Sequence, residues 1–240
     1  MSGRRAVVWG ASGGIGRALV DALASSGEYA TIHAGSRAPA APQTGKVRSF
    51  AFDLLDEASI AAGASAVTAA GPVELVIVAT GMLHNDRCQP EKRFAALTAE
   101  AMTAGFQVNT VGPALIAKHM IQGLPRDRRS VFAALSARVG SIGDNRLGGW
   151  HSYRASKAAL NMIIANLAIE LDRSHPQSIA VGLHPGTVDT SLSLPFQKAV
   201  ADGQLFSPEA SAQHLLSVID GLTKTTSGGL LAWDGQRIAP

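Results

Sequence analysis

Short apolar runs alternate with longer stretches of helical period along this chain, and this alternation constrains the fold more than any other feature. Seven runs rich in β-branched or apolar residues predict strands: Arg5–Trp9, Ala30–Ala34, Val47–Phe52, Glu74–Ala79, Ser130–Leu135, Ile179–Leu183 and Gly229–Trp233. Because the runs are apolar without a break, we expect strands buried on both faces, as in a parallel sheet. Five segments between them predict helices: Gly14–Ser25, Glu57–Ala70, Ala99–Gly123, Tyr153–Asp172 and Pro208–Leu222.

This order of elements predicts an α/β Rossmann fold, with a doubly wound seven-stranded parallel sheet and helices on both faces. No linker or shift in composition divides the chain, so residues 1–240 are expected to form a single domain. A net charge of only +3 argues against nucleic acid as a partner.

No apolar run is long enough to span a bilayer and no signal segment precedes the first strand, which predicts a cytoplasmic protein without a membrane partner. Cys88 is the one cysteine and the histidines lack ligand spacing, so no metal site is expected.

A glycine-rich turn follows the first predicted strand and opens the first predicted helix. It consists of Gly10, Ala11, Ser12, Gly13, Gly14, Ile15 and Gly16. Glycines let the backbone approach a pyrophosphate closely, and the N-terminus of the helix points free N–H groups at the anion. The spacing G-x-x-x-G-x-G differs from the commoner G-x-G-x-x-G, and a tight turn without a ligand is the alternative. Its place in a β-α-β unit favours a nucleotide site.

The end of the second predicted strand bears on the choice of nucleotide. An acid there would accept hydrogen bonds from a ribose 2′-hydroxyl, but the chain has Ser36 and Arg37 instead. A hydroxyl and a guanidinium suit a 2′-phosphate, so NADP(H) is favoured over NAD(H), with a simple loop charge as the alternative. Asp53, followed by Leu54, ends the third strand and is placed to accept a hydrogen bond from an adenine amino group; a turn or cap role for Asp53 is the alternative.

Tyr153 and Lys157 open the fourth predicted helix. Their spacing of four residues puts both on one helix face, about one turn apart. A phenol has an unperturbed pKa near 10, too high for acid–base work at neutral pH. A neighbouring ammonium stabilises the phenolate and lowers that pKa, which makes proton exchange with a carbonyl or alcohol oxygen feasible. A tyrosine and a lysine four residues apart often occur by chance, but in a chain that also has a dinucleotide-binding turn they indicate a catalytic pair.

Together these motifs resemble the short-chain dehydrogenase/reductase family over nearly the whole chain. The residues that carry the resemblance are Gly10, Gly14, Gly16, Asn109, Ser136, Tyr153, Lys157, Pro185 and Gly186. The long loop 136–152, the run from Tyr153 to Asn161 and the segment from Trp233 to Gly235 look most similar to the C-factor and sniffer-like carbonyl reductase branch.

The resemblance implies a role for each of these residues. Tyr153 would be the general acid/base, and Lys157 would lower its pKa and hold the nicotinamide ribose. Ser136 would orient the substrate carbonyl and Asn109 would hold a proton-relay water. Further residues would line the nicotinamide pocket: Pro185, Gly186, Val188 and Thr190. The expected activity is that of an NADP(H)-dependent carbonyl reductase or alcohol dehydrogenase on a small-molecule substrate.

The chain departs from the family pattern after the fourth and fifth strands. Counting back from Gly140 puts Ala137 at the place of the catalytic serine, whereas counting forward from the strand start puts Ser136 there; Ser136 is preferred and Ser141 is the reserve. Thr80 and Gly81 replace the usual asparagine-containing turn after the fourth strand. Gly81 permits close approach of the cofactor, and Thr80 supplies a hydroxyl. The mostly apolar loop 192–206 is expected to close over the substrate.

Two further expectations concern partners and an alternative function. The helix from Tyr153 to Asp172 is apolar around most of its circumference, which predicts burial against more than one surface and a homo-oligomer. The family resemblance implies a homodimer or homotetramer. The C-factor resemblance also leaves open a dinucleotide-binding signalling or regulatory protein. An intact Tyr153/Lys157 pair favours the enzyme.

Overall fold

The computed structural model describes residues 3–39, 45–86, 88–199 and 203–240. The strands are β1 (Arg4–Trp9), β2 (Tyr29–Ser36), β3 (Val47–Ala51), β4 (Leu75–Val78), β5 (Ser130–Leu135), β6 (Ser178–His184), β7 (Thr187–Val188), β8 (Leu205–Phe206), β9 (Leu230–Ala232) and β10 (Arg237–Ile238). The α-helices are α1 (Gly14–Ser25), α2 (Glu57–Thr68), α3 (Ala99–Phe106), α4 (Gly112–Met120), α5 (His151–Ser174) and α6 (Pro208–Asp220).

The main sheet follows the order β3-β2-β1-β4-β5-β6-β9-β10 and has eight strands in the described part of the chain. The seven predicted strands are confirmed, and all of them pair in parallel. The eighth, β10, is antiparallel to β9 and was not predicted. It contains only two residues, one of them an exposed arginine, so it leaves no apolar run in the sequence. The α/β Rossmann architecture is therefore as expected, with one additional edge strand.

Side chains that alternate along each strand divide the core into two layers. From β5, Val131 and Ala133 face one layer, where they pack with side chains of α1 and α6 such as Leu19 and Leu215. Phe132 faces the other layer, which is built with α2, α4 and α5. Because both faces of the sheet are covered by helices, the strands need apolar residues at every position, which explains the unbroken runs.

The segment 99–123 was predicted as one helix and is interrupted at its centre. A π-helical turn, Gln107–Val111, separates α3 from α4, and a short 3₁₀ turn follows α4. Single π-helical turns within α-helices often occur at functional sites. Here the turn holds Asn109 and Thr110 in buried positions against α5, where both bond to Ser156.

The strand order reverses between β1 and β4. β2 and β3 extend the sheet on one side of β1, and β4, β5 and β6 extend it on the other. The connections leave a cleft at the carboxyl ends of the strands at this point, which is where ligands bind in open α/β sheets. The glycine-rich turn, the π-helical turn and the start of α5 all lie at this edge.

Candidate active site

The glycine-rich turn is held tightly against the sheet. The N–H groups of Gly10 and Ala11 both donate to the carbonyl oxygen of Gly35, each at 2.9 Å. A Cβ at Gly16 would lie 2.1 Å from the carbonyl oxygen of Gly10, so only glycine fits there. No side chain caps the N-terminus of α1, which begins after Gly13 in the exposed part of the turn. The first N–H groups of the helix are thus available to an anion.

The rest of the cleft has polar atoms that lack partners in the described structure. The Thr80 hydroxyl and the Nδ1 atom of His184 are both buried and make no hydrogen bond there. Thr190 reaches the turn from the opposite side, since a Cβ at Gly14 would lie 2.8 Å from its methyl group. Buried polar groups normally have partners, so these atoms point to a ligand that supplies them. Together with the uncapped N-terminus of α1, they fit a dinucleotide.

The predicted nucleotide-contacting residues are distributed around the ends of β2 and β3. Ser36 is buried at the end of β2, whereas Arg37 is exposed and has no hydrogen bond or ion pair within the described residues. The Asp53 carboxylate accepts from the N–H of Leu55 at 2.9 Å, which is the turn role left open above. Leu54 packs on Gly112 at the start of α4.

Tyr153 and Lys157 lie one turn apart at the start of α5. The Nζ atom of Lys157 is 5.9 Å from the centre of the Tyr153 ring and donates to the carbonyl oxygen of Leu135 at 2.7 Å. Burial raises the pKa of Tyr153 to about 12 and lowers the pKa of Lys157 to about 7. The sequence predicted that the ammonium of Lys157 would lower the pKa of Tyr153, whereas the pKa is raised. The reason is that removal from water disfavours the charged form of either group.

Asn109 brings a third polar side chain to the pair. Its Oδ1 accepts from the N–H of Met82 at 2.8 Å, and its Nδ2 donates to the carbonyl oxygen of Met82 at 2.8 Å and to the Ser156 hydroxyl at 3.0 Å. A Cβ at Gly81 would lie 3.7 Å from both the Asn109 Oδ1 and the Lys157 Nζ. Asn109 therefore ties the loop after β4 to α5, and both hydrogens of its amide group are engaged.

The turn after β6 closes the cleft on the other side. Gly186 has a φ of +79°, and a Cβ there would lie 2.6 Å from the Phe206 ring, so the position requires glycine. The carbonyl oxygen of Pro185 accepts from the Ser211 hydroxyl at 3.0 Å, and Val188 pairs with Phe206 in the small sheet of β7 and β8. These contacts hold the predicted nicotinamide-lining segment against α6.

Comparison with known proteins agrees with this geometry. A sequence model of the short chain dehydrogenase family matches residues 4–200. The chain belongs to the short-chain dehydrogenases. It is therefore an oxidoreductase, as predicted, and the nicotinamide dinucleotide of such enzymes is the cofactor that the cleft fits.

Individual known proteins resemble the chain to different extents. C-signal of Myxococcus xanthus is 34% identical over 138 residues, 57% of this chain and 77% of that protein. D-erythrulose reductase of Gallus gallus is 33% identical over 198 residues, 79% of this chain and 73% of that protein. An NADPH-bound carbonyl reductase from chicken fatty liver has the same fold, with a TM-score of 0.85 at 24% identity over 100% of this chain and 95% of that one. The Drosophila melanogaster carbonyl reductase Sniffer has a TM-score of 0.83 at 22% identity over 100% of both chains. The predicted similarity to the C-factor and sniffer-like branch is confirmed.

The serine that short-chain dehydrogenases use beside the tyrosine has no clear counterpart in the contacts. The Ser136 hydroxyl donates to Oδ1 of Asn161 at 2.7 Å, two helical turns beyond Tyr153. Ser141 accepts from the N–H of Asp144 at 3.0 Å. Neither serine bonds to Tyr153, so the predicted substrate-orienting role of Ser136 has no contact in its favour and stays a prediction.

Aromatic side chains from three segments form the wall beside Tyr153. The rings of Trp150 and Tyr153 lie 6.3 Å apart, and the Phe196 ring is 5.0 Å from Trp150 and 5.9 Å from His84. Phe196 belongs to the loop predicted to close over the substrate, of which residues 200–202 lie outside the described residues. Another loop residue, Leu192, would be 4.0 Å from a Cβ at Gly81. Sequence patterns did not single out His84 or Phe196 as parts of the site, because each reaches it only through the fold.

The sequence predicted neither a membrane-spanning segment nor a metal site. Within the described ranges, no helix is both long and apolar enough to cross a membrane. In the same part of the chain, no three histidine, cysteine or acidic side chains gather in a group that could hold a metal ion.

Proposed function

We propose that this short-chain dehydrogenase is an NADP(H)-dependent carbonyl reductase or alcohol dehydrogenase, within a single domain of residues 1–240. One observation carries the proposal: Tyr153, Lys157 and Asn109 converge next to a glycine turn whose surroundings leave buried polar atoms without partners. The resemblance to D-erythrulose reductase and to carbonyl reductases supports a carbonyl substrate.

In the proposed reduction, Tyr153 donates the proton that the carbonyl oxygen receives. When bound, the nicotinamide ring supplies or accepts a hydride at its C4 atom. Burial raises the pKa of Tyr153 to about 12, so the phenol keeps its proton at neutral pH and can donate it to a carbonyl oxygen as that oxygen becomes an alkoxide. The product alcohol then carries the hydride on carbon and the Tyr153 proton on oxygen.

Lys157 and Asn109 support that proton transfer. A protonated Lys157 stabilises the phenolate left behind on Tyr153, because the two groups are one helical turn apart. Burial lowers the pKa of Lys157 to about 7, so a small change in its surroundings moves it between the charged and neutral forms. Asn109 fixes the loop at Met82 against α5 and so sets the width of the cleft beside the pair.

The preference for NADP(H) follows from the end of β2. The Arg37 guanidinium is exposed and unpaired within the described residues, so it can bind a 2′-phosphate without giving up a protein contact. A charge-assisted hydrogen bond contributes about 1.5–3 kcal/mol, so Arg37→Ala should weaken NADPH binding roughly 10–100-fold and leave NADH binding unchanged. Arg173→Ala, a change at an exposed site near the end of α5, is the charge-matched control.

The experiment that tests the proposal follows nicotinamide absorbance with a panel of aldehydes, ketones and diketones, using NADPH and NADH in parallel. We expect NADPH oxidation well above NADH oxidation, and we expect Tyr153→Phe to abolish turnover while NADPH affinity stays within about two-fold. The other tyrosine, Tyr29, is buried beside Arg4, so Tyr29→Phe is the matched control and should retain activity. Near-normal turnover by Tyr153→Phe would overturn the mechanism.

The resemblance to C-signal favours a second candidate, a dinucleotide-binding signalling or regulatory protein. The two functions differ in whether binding leads to chemistry. Tight NADPH binding without turnover of any carbonyl or alcohol in the panel would support the second candidate.

A further inference from the structure

The helix that carries Tyr153 begins without a capping side chain of its own. The residue before α5 is Trp150, whose side chain makes no capping hydrogen bond, and the first turn contains no acidic residue. The other helices that begin after a loop have their own caps, except at the glycine turn: Asp56 for α2, Thr98 for α3 and Ser207 for α6. The free N–H groups of α5 must therefore be satisfied from elsewhere in the chain.

Glu91, in the loop between β4 and α3, supplies that cap. One carboxylate oxygen accepts from the N–H of Ser152 at 3.2 Å, and the other accepts from the Ser152 hydroxyl. The main-chain oxygen of Glu91 accepts from the N–H of Trp150 at 2.5 Å. The side chain is only 4% exposed, so the three contacts form a buried clasp across about 60 residues of sequence.

The charge of this carboxylate suits its position. Burial by itself raises the pKa of Glu91, but hydrogen bonds from Ser152, together with the electrostatic effect of the neighbouring His151, outweigh it and leave the pKa below its usual value. Glu91 is therefore ionised at neutral pH. An anion at the N-terminus of a helix is also stabilised by the helix dipole, and α5 is 24 residues long.

The clasp fixes a strained residue next to the reacting group. Trp150 has a φ of 49° and is the one non-glycine residue with a positive φ in the described ranges. That conformation costs free energy, so the surrounding contacts must hold it in place. The indole packs 6.3 Å from the Tyr153 ring and 5.0 Å from the Phe196 ring. A shift of the first turn of α5 would thus move the acid and the wall of the pocket together.

We propose that Glu91 is a positioning residue, which fixes Trp150 and the first turn of α5 so that the Tyr153 phenol meets the substrate in a set place. The kinetic part of this inference rests on the proposed reductase function. Displacement of a reacting group by about 1 Å can cost on the order of 100-fold in rate, so loss of the clasp should reduce kcat.

The test compares two variants that each remove a carboxylate cap. Glu91→Ala removes the clasp on α5, and Asp56→Ala removes the cap of α2, where the carboxylate accepts from the N–H of Ala58 at 2.9 Å. Both should lower the Tm by a few degrees. At saturating NADPH, we expect kcat to fall about 10–100-fold in Glu91→Ala and to stay within about two-fold in Asp56→Ala, with NADPH affinity little changed in both.

Conservative variants and hydrogen exchange distinguish positioning from a general loss of stability. Glu91→Gln keeps the length and one acceptor, so it should recover most of kcat. In Glu91→Ala, the amides of residues 150–156 should exchange faster than in the wild type, whereas Asp56→Ala should not change them.

The kinetic and the exchange measurements can each contradict the positioning role of Glu91. Equal kcat in Glu91→Ala and Asp56→Ala would overturn the positioning role, and so would unchanged exchange at residues 150–156. If the wild type itself turns over no substrate, the proposed reductase function fails, and the exchange data alone decide whether Glu91 fixes the start of α5.

Discussion

Replacing Lys157 with methionine should make the protein more stable at neutral pH while removing its activity. Lys157 is only 3% exposed, and its Nζ donates to the carbonyl oxygen of Leu135 at 2.7 Å. Methionine has a similar length and no charge, so it fills the same space without the cost of desolvating an ammonium. The lysine would then be retained for catalysis at the expense of stability.

The size of the effect follows from the pKa of Lys157. Burial lowers that pKa from 10.5 to about 7. Since one pKa unit corresponds to about 1.4 kcal/mol, keeping this lysine buried costs about 4 kcal/mol at pH 7. Methionine leaves the Leu135 carbonyl oxygen without a partner, which costs about 1–3 kcal/mol. We therefore expect a net gain of about 2 kcal/mol, or a Tm higher by about 4–8 °C for a chain of this size.

The gain should depend on pH in a defined direction. Between pH 7 and 10.5 the unfolded wild type binds more protons than the folded protein, so wild-type stability rises with pH across this window. The cost of the buried lysine is fully present below pH 7 and disappears as the pH approaches 10.5. The advantage of Lys157→Met should consequently shrink by about 3 kcal/mol between pH 6.5 and pH 9.5.

Urea unfolding at these two pH values, followed by tryptophan fluorescence, measures the difference directly. Lys46→Met is the matched control, because Lys46 is exposed and its loss should not change the pH dependence. A Lys157→Met variant no more stable than the wild type at pH 6.5, with the same pH dependence, would refute the reasoning.

Four other changes test the site and the assembly. Gly16→Ala places a Cβ 2.1 Å from the Gly10 oxygen, so calorimetric titration should show NADPH binding weakened more than about 10-fold and unfolding assays a destabilised fold. Ser136→Ala should lower kcat less than about 10-fold because its hydroxyl is engaged by another side chain, whereas Ala137→Ser, at the alternative place, should raise kcat in the reductase assay. Met162→Asp, at a side chain that is 62% exposed on α5, should dissociate the predicted homo-oligomer in sedimentation experiments without changing monomer stability by more than about 0.5 kcal/mol.

Each of these expectations has an opposing result. Wild-type NADPH affinity in Gly16→Ala would mean that the turn does not bind the cofactor. A loss of 100-fold or more in Ser136→Ala would instead support Ser136 as the residue that orients the substrate. An unchanged sedimentation coefficient in Met162→Asp would place the oligomer contact elsewhere, or show that the chain is monomeric.

The sequence alone predicted the main sheet because its signals are local. Parallel strands covered on both faces need apolar residues at consecutive positions, so each of the seven runs could be read without knowledge of its neighbours. The start of α6 was equally readable, since the hydroxyl of Ser207 accepts from the N–H of Ala210 only three residues away. The glycine turn is also local, because its strand, turn and helix follow one another directly.

Tertiary structure decided the features that depend on residues far apart in the chain. The π-helical turn at Asn109 divides a segment of uniform helical period, and its partner Ser156 lies 47 residues away. The clasp of Glu91 on Ser152 spans 61 residues and leaves no pattern in either segment. The pKa of Tyr153 is raised rather than lowered as the pair-based expectation had it, because desolvation depends on everything packed around the ring. Local periodicity determined the elements, and only their packing determined the environment in which the chemistry takes place.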